Sequence, residues 1–222
     1  MRLSCVVPAL NEQGGIGPCL ERIISGGAEA VVVDGGSSDG TVDEALRYTP
    51  HVIVTRPGRG GQQAGGARAA TGDTLCFVHA DTLLPPDFAG HIHRTLALPD
   101  TVCGAFRLGI EPPLAKYRAV CLWANWRTRL FSLPYGDQAL FMPAWTYRAV
   151  GGFRGIPLME DVDLVRRLSR LGRVRLARAA VSTSSRRWDR LGVVRVSAKN
   201  LAAMYRYNRG TCPEDLAREY GR

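Results

Sequence analysis

Mostly parallel strands layered between helices are what this chain spells out, an α/β protein, and three observations say so. Short apolar runs alternate with helical patterns four times within about ninety residues. The runs are continuous rather than alternating, the mark of strands buried on both faces in a parallel sheet. Several end on a polar residue or a turn: Pro8, Asp34 and the His79-Ala80-Asp81 segment.

The elements follow in order. Leu3–Val7 reads as a buried strand ended by Pro8, and a Gly-rich turn leads to a helix through Cys19, Leu20, Ile23 and Ile24. Ala30–Val33 is the second strand, ended by Asp34. Thr41 with Glu44 three residues later is a capping-box pattern, so a helix is expected to start there. Val52–Thr55 is the third strand. The glycine-rich stretch Gly58–Gly66 then leads into a helix through Ala67–Thr71. Thr74–Val78 is the fourth strand, and Pro85-Pro86 opens another helix. Right-handed crossovers follow as the default.

The second half is less regular. Cys103–Leu108 and Gln138–Met142 read as strands, and Ala115–Leu130 as a helix rich in aromatic and basic residues. Glu160–Leu171 is helical, with Leu164, Leu168 and Leu171 on one face. Leu191–Tyr207 is an amphipathic helix and Pro213–Tyr220 a short last one. The expected organisation is one domain over residues 1–190, in halves 1–100 and 101–190, with a helical tail at 191–222.

Composition narrows the partners. A chain of 222 residues can bury a full core without disulfides or metals. The formal charge is +9, carried almost wholly by Arg, which favours an anionic partner: nucleic acid, an anionic membrane surface or phosphorylated small molecules. The six cysteines show no CxxC spacing, so zinc and redox motifs are disfavoured and reduced thiols in a cytoplasmic protein are expected. No signal peptide is read at the start, and no apolar run approaches the ~20 residues that span a bilayer.

Ligands of an open parallel sheet bind beyond the carboxyl ends of its strands. Asn11-Glu12, Asp34 and Asp81 all fall there. Strand one is followed by Pro8-Ala9-Leu10-Asn11-Glu12, not by the GxGxxG of a dinucleotide site, and no GxxxxGK[ST] phosphate loop exists.

These segments carry a resemblance. Val6-Val7-Pro8-Ala9-Leu10-Asn11-Glu12, the Val32–Thr41 stretch VVDGGSSDGT, His79-Ala80-Asp81-Thr82 and Glu160-Asp161-Val162-Asp163-Leu164 together resemble glycosyltransferase family 2, over about residues 1–190. Gly58-Arg59-Gly60-Gly61-Gln62-Gln63 and Met159–Leu164 are similar to a narrower group, the radical-SAM/selenodomain-associated or arsenosugar-biosynthesis-type glycosyltransferases. The resemblance implies the GT-A fold, with a Rossmann-like sheet, a nucleotide-sugar-binding half at 1–100 and an acceptor half at 101–190. It implies transfer from a nucleotide-diphosphate sugar, with UDP the preferred carrier, to an acceptor hydroxyl, with inversion and a divalent cation, Mn²⁺ or Mg²⁺.

The family's roles map onto this chain residue by residue. Asp34 stands where the family contacts the nucleotide base, and Ala9, Asn11 and Glu12 line the same pocket. Ser37, Ser38 and Asp39 are read as turn and cap chemistry. Arg59, flanked by glycines, is the basic residue that approaches the phosphates. The family's DxD metal motif becomes His79-Ala80-Asp81 here, so Asp81 is the expected carboxylate ligand and His79 replaces the other acid; an imidazole there would favour Mn²⁺. Asp161 matches the general base, which removes the acceptor's proton. Glu160, with Arg187 and Trp188 of a partial QxxRW-like segment, is assigned to the acceptor side. Gly136-Asp137-Gln138 is either acceptor lining or an ordinary turn.

Two other functions compete. A nucleotidyltransferase shares this kind of core, although Asn11-Glu12 replaces the basic Gly-rich loop expected for a triphosphate. A nucleic-acid-binding module would use the charge and the Tyr117–Arg129 stretch, but acids at the strand ends repel phosphates, so no nucleic-acid partner is expected. The basic surplus also points to a lipid-linked acceptor, with the Leu191–Tyr207 helix lying peripherally on the inner face of the membrane.

Overall fold

The computed structural model describes residues 1–220. One sheet of eight strands organises the chain, in the order β3-β2-β1-β4-β7-β6-β8-β5. Strand β1 (Leu3–Ala9) is buried along its whole length. It pairs in parallel with β2 (Glu29–Asp34) on one side and β4 (Thr74–Phe77) on the other, and β3 (Val52–Val54) extends the β2 edge. This is the parallel half that the apolar runs predict.

The second half changes the sheet's character. Strand β6 (Thr101–Glu111) and β7 (Leu140–Pro143) are antiparallel to each other, and β7 is antiparallel to β4, so the full sheet is mixed. Strand β8 (Arg173–Ser184), which the sequence reading did not anticipate, runs parallel to β6. The two-residue β5 (Thr82–Leu83) closes that edge against β8. Strand β8 hides because Arg, Ala and Ser interrupt its apolar residues without a steady period, and its register slips opposite Ala105–Arg107.

Helices cover both faces. On one, Cys5, Val7 and Val32 pack with Leu20 and Ile23 of α1 (Gln13–Ser25) and Ile92 of α4 (Phe88–Leu96). On the other, Val6, Val33 and Phe77 pack with Tyr147 of α6 (Ala144–Ala149) and Leu164 and Leu168 of α7 (Glu160–Leu168). The alternation of Cys5, Val6 and Val7 between these clusters is the two-residue strand period at work. Helix α5 (Ala115–Phe131) lies against β6 and joins Trp188 and Val196 in a third cluster. All six cysteines are free thiols.

Three helix boundaries differ from expectation. Helix α2 (Thr41–Leu46) has Gly40 as its cap, and Thr41 is its first residue. The Thr41 hydroxyl donates to the Asp39 carboxylate and accepts the Glu12 amide at 2.8 Å, so it links two loops and no capping box forms. Helix α3 (Arg59–Ala69) begins within the glycine-rich stretch. A Cβ on Gly60 would stand 2.4 Å from the Arg154 carbonyl oxygen, so the glycine there permits close approach to the chain before α7. The helix expected at 191–207 is α9 (Val193–Asn208), starting two residues later, and a short α8 (Arg186–Leu191) that was not expected precedes it, set off by Gly192 at a left-handed φ of 81°. The last helix, α10 (Pro213–Tyr220), packs on α9, and its Leu216 and Ala217 cluster with Ala203 and Leu158.

Replacing Gly60 with alanine should lower stability by about 1–3 kcal/mol, the usual cost of overpacking. Urea denaturation of Gly60→Ala against the parent measures it; an unchanged midpoint would show that the contact gives way freely.

Candidate active site

Loops at the carboxyl ends of β1 and β4 open onto a cavity of about 690 Å³. The first half of the chain contributes Ala9, Glu12, Arg59, Gln62, His79 and Asp81 to its walls. The second half contributes Tyr135, Asp137, Glu160, Asp161, Arg187 and Trp188, and the tail adds Asn200 and Tyr220.

The β1–α1 and β2–α2 loops are laced together. The Asp34 carboxylate, 1% exposed, accepts the amides of Gly36 and Ser37 at 2.8 and 2.7 Å and the Ser37 hydroxyl. Asn11 donates its amide to the Ser37 hydroxyl at 2.8 Å, and its Oδ1 accepts the Ser38 amide at 2.9 Å. Neither Asn11 nor Asp34 is among the residues lining the cavity; both shape the loops at its side. Ser37, Ser38 and Asp39 do turn and cap work here. Gln62, which sequence reasoning did not single out, spans the ends of β1 and β2: its Nε2 donates to the Ala9 and Val33 carbonyls at 2.9 and 2.8 Å.

His79 and Asp81 follow β4 in a turn closed by the Thr82 amide on the His79 carbonyl at 3.0 Å. The Ser184 amide donates to the Asp81 carbonyl at 3.2 Å, which ties this turn to the end of β8. One guanidinium, Arg186 at the start of α8, pairs with Glu12 and lies 3.4 Å from the Asp81 carboxylate. Burial raises the Glu12 carboxyl above its ordinary value and outweighs the opposing pull of Arg186; Asp81 and Asp39 add to the rise. The two carboxylates thus share one internal counter-ion; their oxygens are the ligand type a hard cation takes, and a cation there would have to compete with Arg186. Among the described residues no group of three or more His, Cys, Asp or Glu could hold a metal by itself.

The opposite wall is built around a 3₁₀ turn, Gly136–Gln138. Its Gly136 amide donates to Asp161 Oδ2 at 2.6 Å. A Cβ on Gly136 would lie 3.4 Å from both that oxygen and His79 Nε2, so the turn fits closely between the two groups. Asp161 Oδ1 accepts the Val162 amide at 2.7 Å. Asp161 is the second residue of α7, which starts directly after Met159 at a left-handed φ of 67°. Its neighbour Glu160 is buried and stands 3.9 Å from the Arg59 guanidinium. Asp163 points elsewhere, to Arg167 at 2.6 Å.

Asp137 is the residue whose importance the sequence understated. It lines the cavity, and its Oδ1 is buried without a hydrogen bond. Burial pushes its carboxyl up to about 6, against the pull of Arg127 and with a further push from Asp161. Arg127 lies over the Tyr135 ring at 3.4 Å from its centroid. The only sequence signal was a Gly-Asp-Gln turn before a strand. The tail was missed as a wall too: Tyr220 hydrogen-bonds Arg187 and Asn200 beside the cavity.

Comparison with known proteins bears on the family and the fold. The model of glycosyl transferase family 2 matches residues 4–151. An uncharacterised glycosyltransferase of Mycobacterium tuberculosis is 36% identical over 80 residues, 36% of this chain and 36% of that protein. Glucosyl-3-phosphoglycerate synthase of Mycolicibacterium smegmatis is 35% identical over 98 residues, 38% of this chain and 32% of that protein. The matched stretch thus spans about a third of the length of these relatives. Among solved structures, glucosyl-3-phosphoglycerate synthase from M. tuberculosis with Mn²⁺ and UDP-glucose superimposes with a TM-score of 0.61 at 20% identity, covering 82% of this chain and 69% of that one. A Pyrobaculum calidifontis mannosyltransferase with GDP-mannose and Mn²⁺ gives 0.64 at 21%, covering 82% and 56%. At that identity the likeness establishes the fold.

Asp137 makes stability depend on pH. Its carboxyl ordinarily titrates at 3.8, so between that value and about 6 the folded protein keeps a proton that the unfolded chain has released. The stability this represents is full below pH 3.8 and lost as pH rises through about 6, on the order of 3 kcal/mol. Asp137→Asn should therefore melt higher than the parent at neutral pH, with the difference closing near pH 4. A parallel pair of melting curves across that range would reject this origin for the strain.

Proposed function

The chain belongs to glycosyl transferase family 2, and from that premise we propose that it moves a sugar from a nucleoside-diphosphate donor, with uridine as the nucleoside, to an acceptor hydroxyl with inversion. The observation that carries this reading is the convergence of Arg59, Asp81 and Asp161 on one cavity, from opposite halves of the chain.

The roles follow from chemistry. Ala9, Glu12 and Arg59 form the nucleotide and phosphate side, with Asn11 and Asp34 ordering the loops beside them. Asp161, held by the Gly136 amide, takes the proton of the acceptor hydroxyl as its oxygen attacks the anomeric carbon. The bond to the diphosphate breaks on the far side, and its electron pair stays on the phosphate oxygen. Arg59, oriented by Glu160, stabilises that charge. A divalent cation, Mn²⁺ or Mg²⁺, held by Asp81 and adjoined by His79, would add Lewis-acid neutralisation of the leaving diphosphate when bound. Asp137, Arg187 and Trp188 face the acceptor.

The acceptor is proposed only as a hydroxyl. No helix among the described residues is long and apolar enough to cross a membrane. A nucleotidyltransferase would instead leave nucleotide attached to product, which separates the two readings.

Thermal-shift screening of nucleoside diphosphates and their sugars, with and without Mn²⁺, should give a metal-dependent rise with a uridine nucleotide. No response to any nucleotide would sink the assignment. Asp161→Asn should cut transfer at least about a hundredfold and leave nucleotide binding intact; near-normal turnover would remove it as the base. With His79 beside the cation, the parent should prefer Mn²⁺ to Mg²⁺, and His79→Asp should narrow that preference. Equal activity with both ions in both proteins would exclude the imidazole from the metal's surroundings.

A further inference from the structure

Helix α5 turns Tyr117, Ala124 and Thr128 inward, yet most of its large apolar residues face water. Leu122, Trp126 and Leu130 recur every four residues on the outer face, each more than half exposed at 71%, 52% and 57%. Trp123 stacks beside Trp126 with ring centroids 5.4 Å apart, and Phe131 meets Trp126 edge-on. The patch is continuous and aromatic, unlike the scattered apolar residues of an ordinary surface.

The helix itself carries charge of one sign. Ala115–Phe131 contains no Asp or Glu. Lys116 is paired with Asp189 at 2.9 Å, and Arg127 stacks on Tyr135. Arg118 and Arg129 are exposed along one edge of the stripe, and neither has an acidic partner among the described residues.

We propose that this face of α5 docks on an anionic phospholipid surface. Two tryptophans on an apolar stripe suit the headgroup boundary, and flanking arginines suit lipid phosphate. The chain's charge of +9 acts in the same direction. A second copy is a poorer occupant: two-fold pairing would bring the same cations of both copies together without an acid to answer them. The α9 helix, where the sequence pointed, is the weaker candidate, since Val196, Ala203 and Met204 are spent on the fold. Docking through α5 also connects to the cavity. The helix passes into the Gly136 turn within a few residues, and the Thr128 hydroxyl hydrogen-bonds Gln138 Oε1 at 2.8 Å.

The test uses the full chain without nucleotide, so it does not depend on the sugar-transfer reading. The parent should co-sediment with phosphatidylglycerol-containing vesicles and not with pure phosphatidylcholine, and rising salt should weaken the binding. The double variant W123S/W126S changes only exposed side chains; it should melt like the parent and bind about tenfold less. V194S/L201S on α9 should bind like the parent. Equal binding by W123S/W126S, loss of binding in V194S/L201S alone, or no vesicle binding at all would overturn the proposal. So would a parent dimer in light scattering that W123S/W126S abolishes, or an oligonucleotide bound more tightly than the vesicles.

Discussion

The antiparallel pairing of β7 with β4 is the constraint on which the site depends. Phe77 pairs with Leu140 at the end of β4, so the chain leaving β4 and the chain entering β7 meet at the same place. His79 lies just beyond one strand and Gly136 just before the other. That is why a turn from the second half stands against a histidine from the first. The Gly136 amide then fixes Asp161 at 2.6 Å, and the start of α7 comes with it. A parallel β7 would place its preceding turn at the amino ends of the strands and leave the parallel half without a facing wall.

What could be read from sequence follows the same division. Strands β1, β2 and β4 are buried on both faces, and burial writes itself as uninterrupted apolar runs. Their ends, and so Glu12, His79 and Asp81, were legible for that reason. Strand β8 is half-buried and slips register against β6, so its Arg- and Ala-rich alternation carries no clear period. The glycines of α3 look like a loop because glycine disfavours helices, but tertiary contact at Gly60 overrides that preference. Spacing alone also could not show that Asp34 is enclosed by its own loop, or that Tyr220 reaches the cavity from the far end of the described chain. Both depend on how loops and tail fold back, which neither propensity nor pattern encodes.

The cavity concentrates charge that the rest of the protein keeps on its surface. Glu160 and Asp137 are withdrawn from water within reach of Arg59 and Arg127. A buried carboxylate costs stability unless it is paired or bonded, and the Asp137 Oδ1 has no hydrogen bond. Such strain persists where the surrounding fold is strong enough to hold it, and here two large apolar clusters lie beneath the cavity. The fold's stability and the site's chemistry therefore oppose one another locally.

Arg186 gives that opposition a dynamic side. Its guanidinium spans Glu12 and Asp81, so the two acids already share an internal counter-ion. An arriving divalent cation would compete with this group for the two acids, and the guanidinium would offset part of its attraction. Electrostatics alone would then give the incoming ion only a modest advantage, and its phosphate-bearing companion would have to supply the remainder. Arg186 is also the first residue of the helix that carries Arg187 and Trp188. The acids that follow the parallel strands are thus tied, through one side chain, to the helix that lines the opposite wall.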